Sequence, residues 1–209
     1  MPEQFGKDFW EERYGDPDAT HRQQPNPQLL AEVGDLDPGR ALDAGCGEGA
    51  DATWLASRGW QVTAVDIATR ALERARERLQ GLDEEIAGRI QWTEADLTTW
   101  APPENRFELV SSHYVHPAGS RRALFRRLAA AVAPGGTLLV VGHDVSDIHH
   151  SGSHAPSPDS AIAVAEVVEA LDPDDWQVLV AETRTRTAND VSGNTMTLRD
   201  AVVRARRRS

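Results

Sequence analysis

Short apolar runs and stretches of helical period alternate along most of the chain. Residues 40–44 form the first run, and a helical stretch over about 49–57 follows until Gly59 stops it. Residues 61–66 form the second run, and 68–79 carry the charged face expected of an amphipathic helix. After the connection at 81–88, a third run covers roughly 89–93. Residues 107–112 are the fourth, and Leu124, Leu128 and Ala131 then recur at helical spacing up to Pro134-Gly135-Gly136. Residues 137–142 are almost wholly apolar, as a strand buried on both faces requires. A polar loop over 143–157 leads to a helix expected over 159–171. Two long alternating segments, 176–187 and 195–206, finish the chain and predict an antiparallel hairpin at a sheet edge.

Alternation of strand and helix implies right-handed crossovers and a parallel sheet with helices on both faces. With the terminal hairpin the expectation is a Rossmann-like, doubly wound, seven-stranded α/β sheet, mostly parallel. Residues 1–34 form a lead-in, with a short helix over 9–14 and a Pro25-Asn26-Pro27 turn before a second helix ending at Val33. No repeat or long linker divides the chain, so one domain is expected over 1–209, with 1–34 as a helical lid region and 35–209 as the core.

The richest stretch is Ala41-Leu42-Asp43-Ala44-Gly45-Cys46-Gly47-Glu48-Gly49. Alternating glycines between a strand and a helix allow a tight turn and let a ligand lie against the main chain. The helix start beyond them offers free N–H groups to a carboxylate or other electron-rich group. Asp66 closes the second run seventeen residues after Gly49, where a carboxylate can grip the two hydroxyls of a ribose. The spacing Gly45-x-Gly47-x-Gly49 differs from the dinucleotide fingerprint G-x-G-x-x-G.

From about Phe9 to the C-terminus, on the D-x-G-x-G-x-G motif and the terminal hairpin, the chain resembles the class I S-adenosylmethionine-dependent methyltransferases, nearest to small bacterial members that act on small molecules. That resemblance implies S-adenosyl-L-methionine as cofactor and S-adenosyl-L-homocysteine as product. It implies that Asp43, Gly45, Cys46, Gly47, Glu48 and Gly49 line the methionine part, that Asp66 holds the ribose and that Ile67 packs on the adenine. The Glu94-Ala95-Asp96-Leu97 segment resembles the adenine motif, in which an acidic side chain accepts the exocyclic amine; capping its own loop is the less favoured alternative for Asp96. The segment Ser111-Ser112-His113-Tyr114 stands where the fourth motif ends, facing sulfonium and acceptor. Trp10 and Tyr14 would either shield the methyl group as an N-terminal lid or pack on the sheet edge.

Twenty-two basic residues against 33 acidic ones give a net charge of −11, which repels phosphate backbones and disfavours a nucleic-acid partner. Arg121, Arg122, Arg126 and Arg127 have the spacing of a solvated helix face, and Arg204 to Arg208 end the last strand. One cysteine excludes an internal disulfide and suits a reducing cytoplasm. No apolar stretch reaches the roughly 18–20 residues of a membrane span, and the first residues are too polar for a secretory signal. A cytoplasmic protein acting on a small molecule is expected, as monomer or homodimer.

A sulfonium is already a good leaving group, so such a protein mainly aligns acceptor, methyl and sulfur; a hydroxyl or protonated amine also needs a base. His113 and His116 after the fourth strand and His143 after the fifth stand at the crevice where ligands bind in these sheets. His113 is the first choice of base. The loop carrying His143, Asp144, His149, His150 and His154 matches no fixed metal signature, so no metal is assigned and a substrate-facing lid is preferred. Cys46, between two glycines, is expected to be structural. Two other readings remain: a cofactor-binding protein without catalysis, which the clustered histidines oppose, and an NAD-dependent oxidoreductase, which the glycine spacing opposes.

Overall fold

A computed structural model describes residues 5–15, 24–81, 83–146, 160–189 and 195–209. The strands are β1 Arg40–Ala44, β2 Gln61–Asp66, β3 Ile90–Glu94, β4 Phe107–His113, β5 Val132–Asp144, β6 Ala161–Ile162, β7 Trp176–Asn189 and β8 Thr195–Arg207. The helices are α1 Lys7–Gly15, α2 Pro27–Val33, α3 Ala50–Ser57, α4 Thr69–Leu79, α5 Glu84–Ala87, α6 Arg121–Ala131 and α7 Val164–Val168. The sheet runs β3-β2-β1-β4-β5-β8-β7, with β6 attached to β5. Strands β1 to β6 pair in parallel, β8 lies antiparallel to β5, and β7 antiparallel to β8. The chain leaves β1 toward β2 and β3, then returns to β4 on the other side. Their connections diverge at that point and open a crevice at the carboxyl ends of β1 and β4.

Period-two alternation divides the core between the two faces of the sheet. Leu42, Val110, Leu138 and Val140 pack with Leu124 and Leu128 of α6, whereas Ala41, Leu109, Leu139 and Val141 pack with Leu29 of α2 and Leu55 of α3. Burial of a leucine contributes about 1.5–3 kcal/mol, so these two layers fix the ends of β1 and β4 against each other. Among the described residues, no helix is long and apolar enough to cross a membrane.

Several expectations shift. The hydrogen-bonded path holds the seven expected strands, and among the described residues a two-residue eighth, β6, joins β5 beside it; the helix expected over 159–171 is in its described part β6 followed by the short α7. Ala161 and Ile162 pair with His143 and Asp144, and Ile162 covers Gly142, where an added Cβ would stand 2.7 Å from Ile162 Cδ1. Tertiary pairing overrides the local helical period there. Strand β5 starts at Val132 instead of 137, because Val132 pairs with Phe107 and the 133–136 segment bulges before Thr137 meets Leu109. Helix α5 was not foreseen; it is one turn, with Asp83 accepting from Glu85 N at 2.9 Å. Residues 147–159, which hold His149, His150 and His154, lie outside the described residues.

Candidate active site

Strand β1 ends in a loop whose shape is dictated by backbone hydrogen bonds. Gly45 N and Cys46 N both donate to Val65 O, at 2.8 and 2.9 Å, and Gly49 N donates to Cys46 O at 2.9 Å. Gly47 has φ +51°, and a Cβ there would stand 2.8 Å from the Tyr14 hydroxyl. Gly49 has φ +76°, and its Cβ would collide with Trp92 at 2.3 Å. Side chains are therefore excluded both by torsion and by space. Asp66 ties this loop to β2: Oδ2 accepts from Gly47 N at 2.8 Å and Oδ1 from Ala68 N at 2.9 Å. Burial pushes its carboxyl above the usual range, opposed by N–H donors from Ala68, Gly47 and Ile67. Each oxygen retains a lone pair for a further donor.

The loop opens onto a cavity of about 910 Å³, within the size range of cofactor pockets. Gly45, Cys46, Gly47, Asp66 and Ile67 line one end, with Ala95, Asp96 and Leu97 beside them. Asp96 also caps its own turn, accepting from Thr98 N at 2.7 Å. Trp10 and Tyr14 of α1 form part of the wall. No residue of α1 is fully buried, and the helix is held by polar ties. Glu11 accepts from Thr69 N at 2.6 Å and Arg70 N at 3.3 Å, supplying α4 with the cap that Ala68 cannot. Lys7 pairs with Glu94. Burial pushes the Tyr14 phenol up, and Asp66 adds to the shift.

Some expected site residues do not reach the cavity wall. Asp43 and Ser111 face each other across the β1/β4 ladder, Ser112 pairs with Ala44, and all three side chains are buried within the sheet. Strand β4 continues one residue further than its apolar run suggested, so the wall begins at His113. Gly49 caps α3 behind the loop. Glu48 contributes to the wall, but its carboxylate is bound by Arg74 at 3.0 Å and by Arg78, both from α4. Burial pushes the Cys46 thiol well above its usual range, with Asp66 and Asp43 adding, so the thiolate form is suppressed.

The other end of the cavity is built from side chains distant in sequence. Tyr114 has φ +54°, a conformation bulky residues rarely adopt, and this kink follows β4 directly. His113, Tyr114 and His116 all reach the wall, joined by His143, Arg186 and Thr187. His116 lies nearly parallel to Trp10, with centroids 6.0 Å apart, and to His143 at 6.3 Å. Burial, aided by His143, pushes the His116 imidazole down to about 4, so it is neutral at physiological pH and a weak base. The Tyr114 hydroxyl donates to the buried Asp200 at 2.9 Å, and Arg186 pairs with the same carboxylate at 2.9 Å. His113 is buried, and its Nδ1 is 2.7 Å from Asp51 Oδ2. Asp51 also accepts from Asn26 N at 2.6 Å. Sequence reasoning missed Asp51 and Arg186. The only available signals were an acidic residue in the first turn of α3 and an arginine alternating with threonines in β7.

Residues 41–136 match the family model described as a methyltransferase domain. Trans-aconitate 2-methyltransferase of Rhodopseudomonas palustris is 35% identical over 130 residues, covering 57% of this chain and 44% of that protein. The protein of the same name from Streptomyces coelicolor is 37% identical over 127 residues, covering 58% and 41%. The chain thus spans less than half the length of these relatives. Among solved structures, N-methyltransferase NodS of Bradyrhizobium japonicum in complex with S-adenosyl-L-homocysteine superposes with a TM-score of 0.68 at 18% identity, over 99% of this chain and 100% of that one. A structure reported for echinomycin biosynthesis gives 0.71 at 22% identity, over 97% and 92%. At such identities the likeness concerns the fold.

Proposed function

We propose that the chain is a class I S-adenosylmethionine-dependent methyltransferase that moves a methyl group from S-adenosyl-L-methionine to a heteroatom of a small molecule. The observation that carries this reading is the side-chain-free cradle at Gly45 and Gly47, tied to Asp66 and opening on a cavity of about 910 Å³. Those residues fit the group. The loop would lie against the methionine part, Asp66 would accept from the ribose hydroxyls, Ile67 would pack on the adenine, and Asp96 and Leu97 would bound its edge. Trp10 and Tyr14 close over the site and exclude water. When bound, the cofactor supplies a methyl on a sulfonium, an electrophile with a neutral leaving group. The protein contributes alignment, which is worth up to about 7–11 kcal/mol in favourable systems.

The acceptor end is small, ring-lined and carried on a protein of net charge −11, which supports a small molecule over nucleic acid. The single, buried Cys46 suits a reducing cytoplasm. A second reading takes a carboxylate acceptor, as the names of the trans-aconitate relatives suggest, and Arg13 and Arg186 on the cavity wall favour it. Arg186, however, is already paired with Asp200.

Thermal unfolding tests the proposal. S-adenosyl-L-homocysteine is expected to raise Tm, increasingly with its concentration, while NAD leaves it unchanged. Stabilisation by NAD alone would restore the oxidoreductase reading.

A further inference from the structure

At the acceptor end the fold leaves a buried ring nitrogen of His113 without a hydrogen-bond partner. His113 Nε2 is shielded from solvent and has no hydrogen-bond partner, although His113 belongs to the cavity wall. Its other nitrogen is committed. Nδ1 lies 2.7 Å from Asp51 Oδ2, while Asp51 Oδ1 accepts the Asn26 amide at 2.6 Å. An ionised carboxylate only accepts, so Nδ1 carries the hydrogen, and the tautomer this selects presents a bare lone pair at Nε2. A lone pair at this point repels a carboxylate oxygen and welcomes an O–H or N–H. His116 is no substitute, being stacked between Trp10 and His143 and held neutral down to about 4.

Resting on the methyltransferase reading, we infer that the acceptor is protic, a hydroxyl, phenol or N–H compound rather than a carboxylate, and that His113 is its base with Asp51 as the positioning residue. As the acceptor oxygen or nitrogen bonds to the methyl carbon, the carbon–sulfur bond breaks and both its electrons stay on sulfur. The acceptor proton passes to Nε2, and the imidazolium so formed is balanced by Asp51. Release of that proton to solvent resets the ring.

The test uses the full chain with nitrogen-15 in its histidines and S-adenosyl-L-homocysteine bound. Long-range nitrogen–proton spectra near neutral pH are expected to show His113 with Nδ1 protonated and Nε2 bare. In Asp51→Asn, Oδ1 still accepts from Asn26, but the new amide donates toward Nδ1, so the hydrogen should move to Nε2. A doubly protonated wild-type ring would overturn the inference, because two donors suit a carboxylate. Turnover is read as S-adenosyl-L-homocysteine release across a panel of phenols, alcohols and aromatic N–H compounds beside carboxylic acids. The protic class should react. His113→Gln and Asp51→Asn should lower its rate about 10²–10⁴-fold, with calorimetric affinity for S-adenosyl-L-homocysteine unchanged. Turnover confined to carboxylic acids, none on any compound, or protic turnover that survives His113→Gln would each overturn it. A wild-type protein that fails to bind S-adenosyl-L-homocysteine removes the methyltransferase reading and this inference with it.

Discussion

The two ends of the cavity are made in opposite ways. At the glycine loop, main-chain groups of residues 45–49 and the carboxylate of Asp66 do the work, and all lie within one β1-α3-β2 unit. At the histidine end, side chains from α1, the turn after β4, the end of β5 and strand β7 converge, and the chain between them is long. Backbone cradles tolerate no substitution that adds a Cβ, whereas a wall of side chains can change chemistry one residue at a time. On the proposed reading, the first end would hold the cofactor, and the second would be free to set the acceptor.

The sharpest way to break this contrast is at the cradle. Gly47→Val forces a branched residue to φ +51° with its Cβ near the Tyr14 hydroxyl. Calorimetry should find binding of S-adenosyl-L-homocysteine weakened by more than about a hundredfold in a protein whose circular dichroism is largely intact. Normal affinity in the folded variant would mean that the loop does not cradle the ligand.

Asp66→Ala comes next. Removing charge-assisted hydrogen bonds worth about 1.5–3 kcal/mol should weaken the same binding roughly 10–100-fold. Part of that loss comes through the loop, since Asp66 also fixes Gly47 N. Asp66→Asn, which keeps an acceptor, should recover a portion.

His116 tests the other end through acid stability. Its pKa is pushed down from 6.5 to about 4, so between those values the unfolded chain holds a proton that the folded chain refuses. Stability is then fully present above about 6.5 and is lost as pH falls toward 4. The distance between the two values sets a ceiling of about 3 kcal/mol, and the ring's partial exposure reduces it to about 2. Denaturant titrations should show His116→Phe losing less stability than wild type between pH 6.5 and 4, with cofactor affinity unaltered. Equal acid sensitivity in both would show that the ring is solvated.

Smallest is the tie between α1 and α4. Glu11→Ala removes the acceptor for Thr69 N and Arg70 N, and should cost about 1 kcal/mol of stability by analogy with a lost helix cap. Because α1 carries Trp10 and Tyr14, dissociation of S-adenosyl-L-homocysteine should quicken in stopped-flow traces. An unchanged rate would mean that α1 does not close the site.

The same contrast explains what the sequence revealed. Strands β1 and β2 have the bounds their apolar runs suggested, and the motif between them is local, with torsions only glycine adopts readily. The place of Asp66 on the cavity wall was legible because it closes a strand. The direction of the Glu48 carboxylate was not legible, because the motif is silent on it: the residue reaches the cavity wall while its carboxylate is held by Arg74 and Arg78 of α4. Asp51 carried only the faint signal of an acidic residue in a first helical turn, since its pairing with His113 spans 62 positions and depends on two layers packing together. Strand β6 was invisible for the same reason, being two residues long and defined only by its neighbour β5.

A crystal structure of the full chain with S-adenosyl-L-homocysteine tests the central claim most directly. The ribose hydroxyls are expected at about 2.6–3.2 Å from the Asp66 carboxylate, with the methionine part against Gly45 to Gly47 and the sulfur directed toward the His113 end. A ligand bound outside this cavity, or inside it with the ribose away from Asp66, would contradict the account.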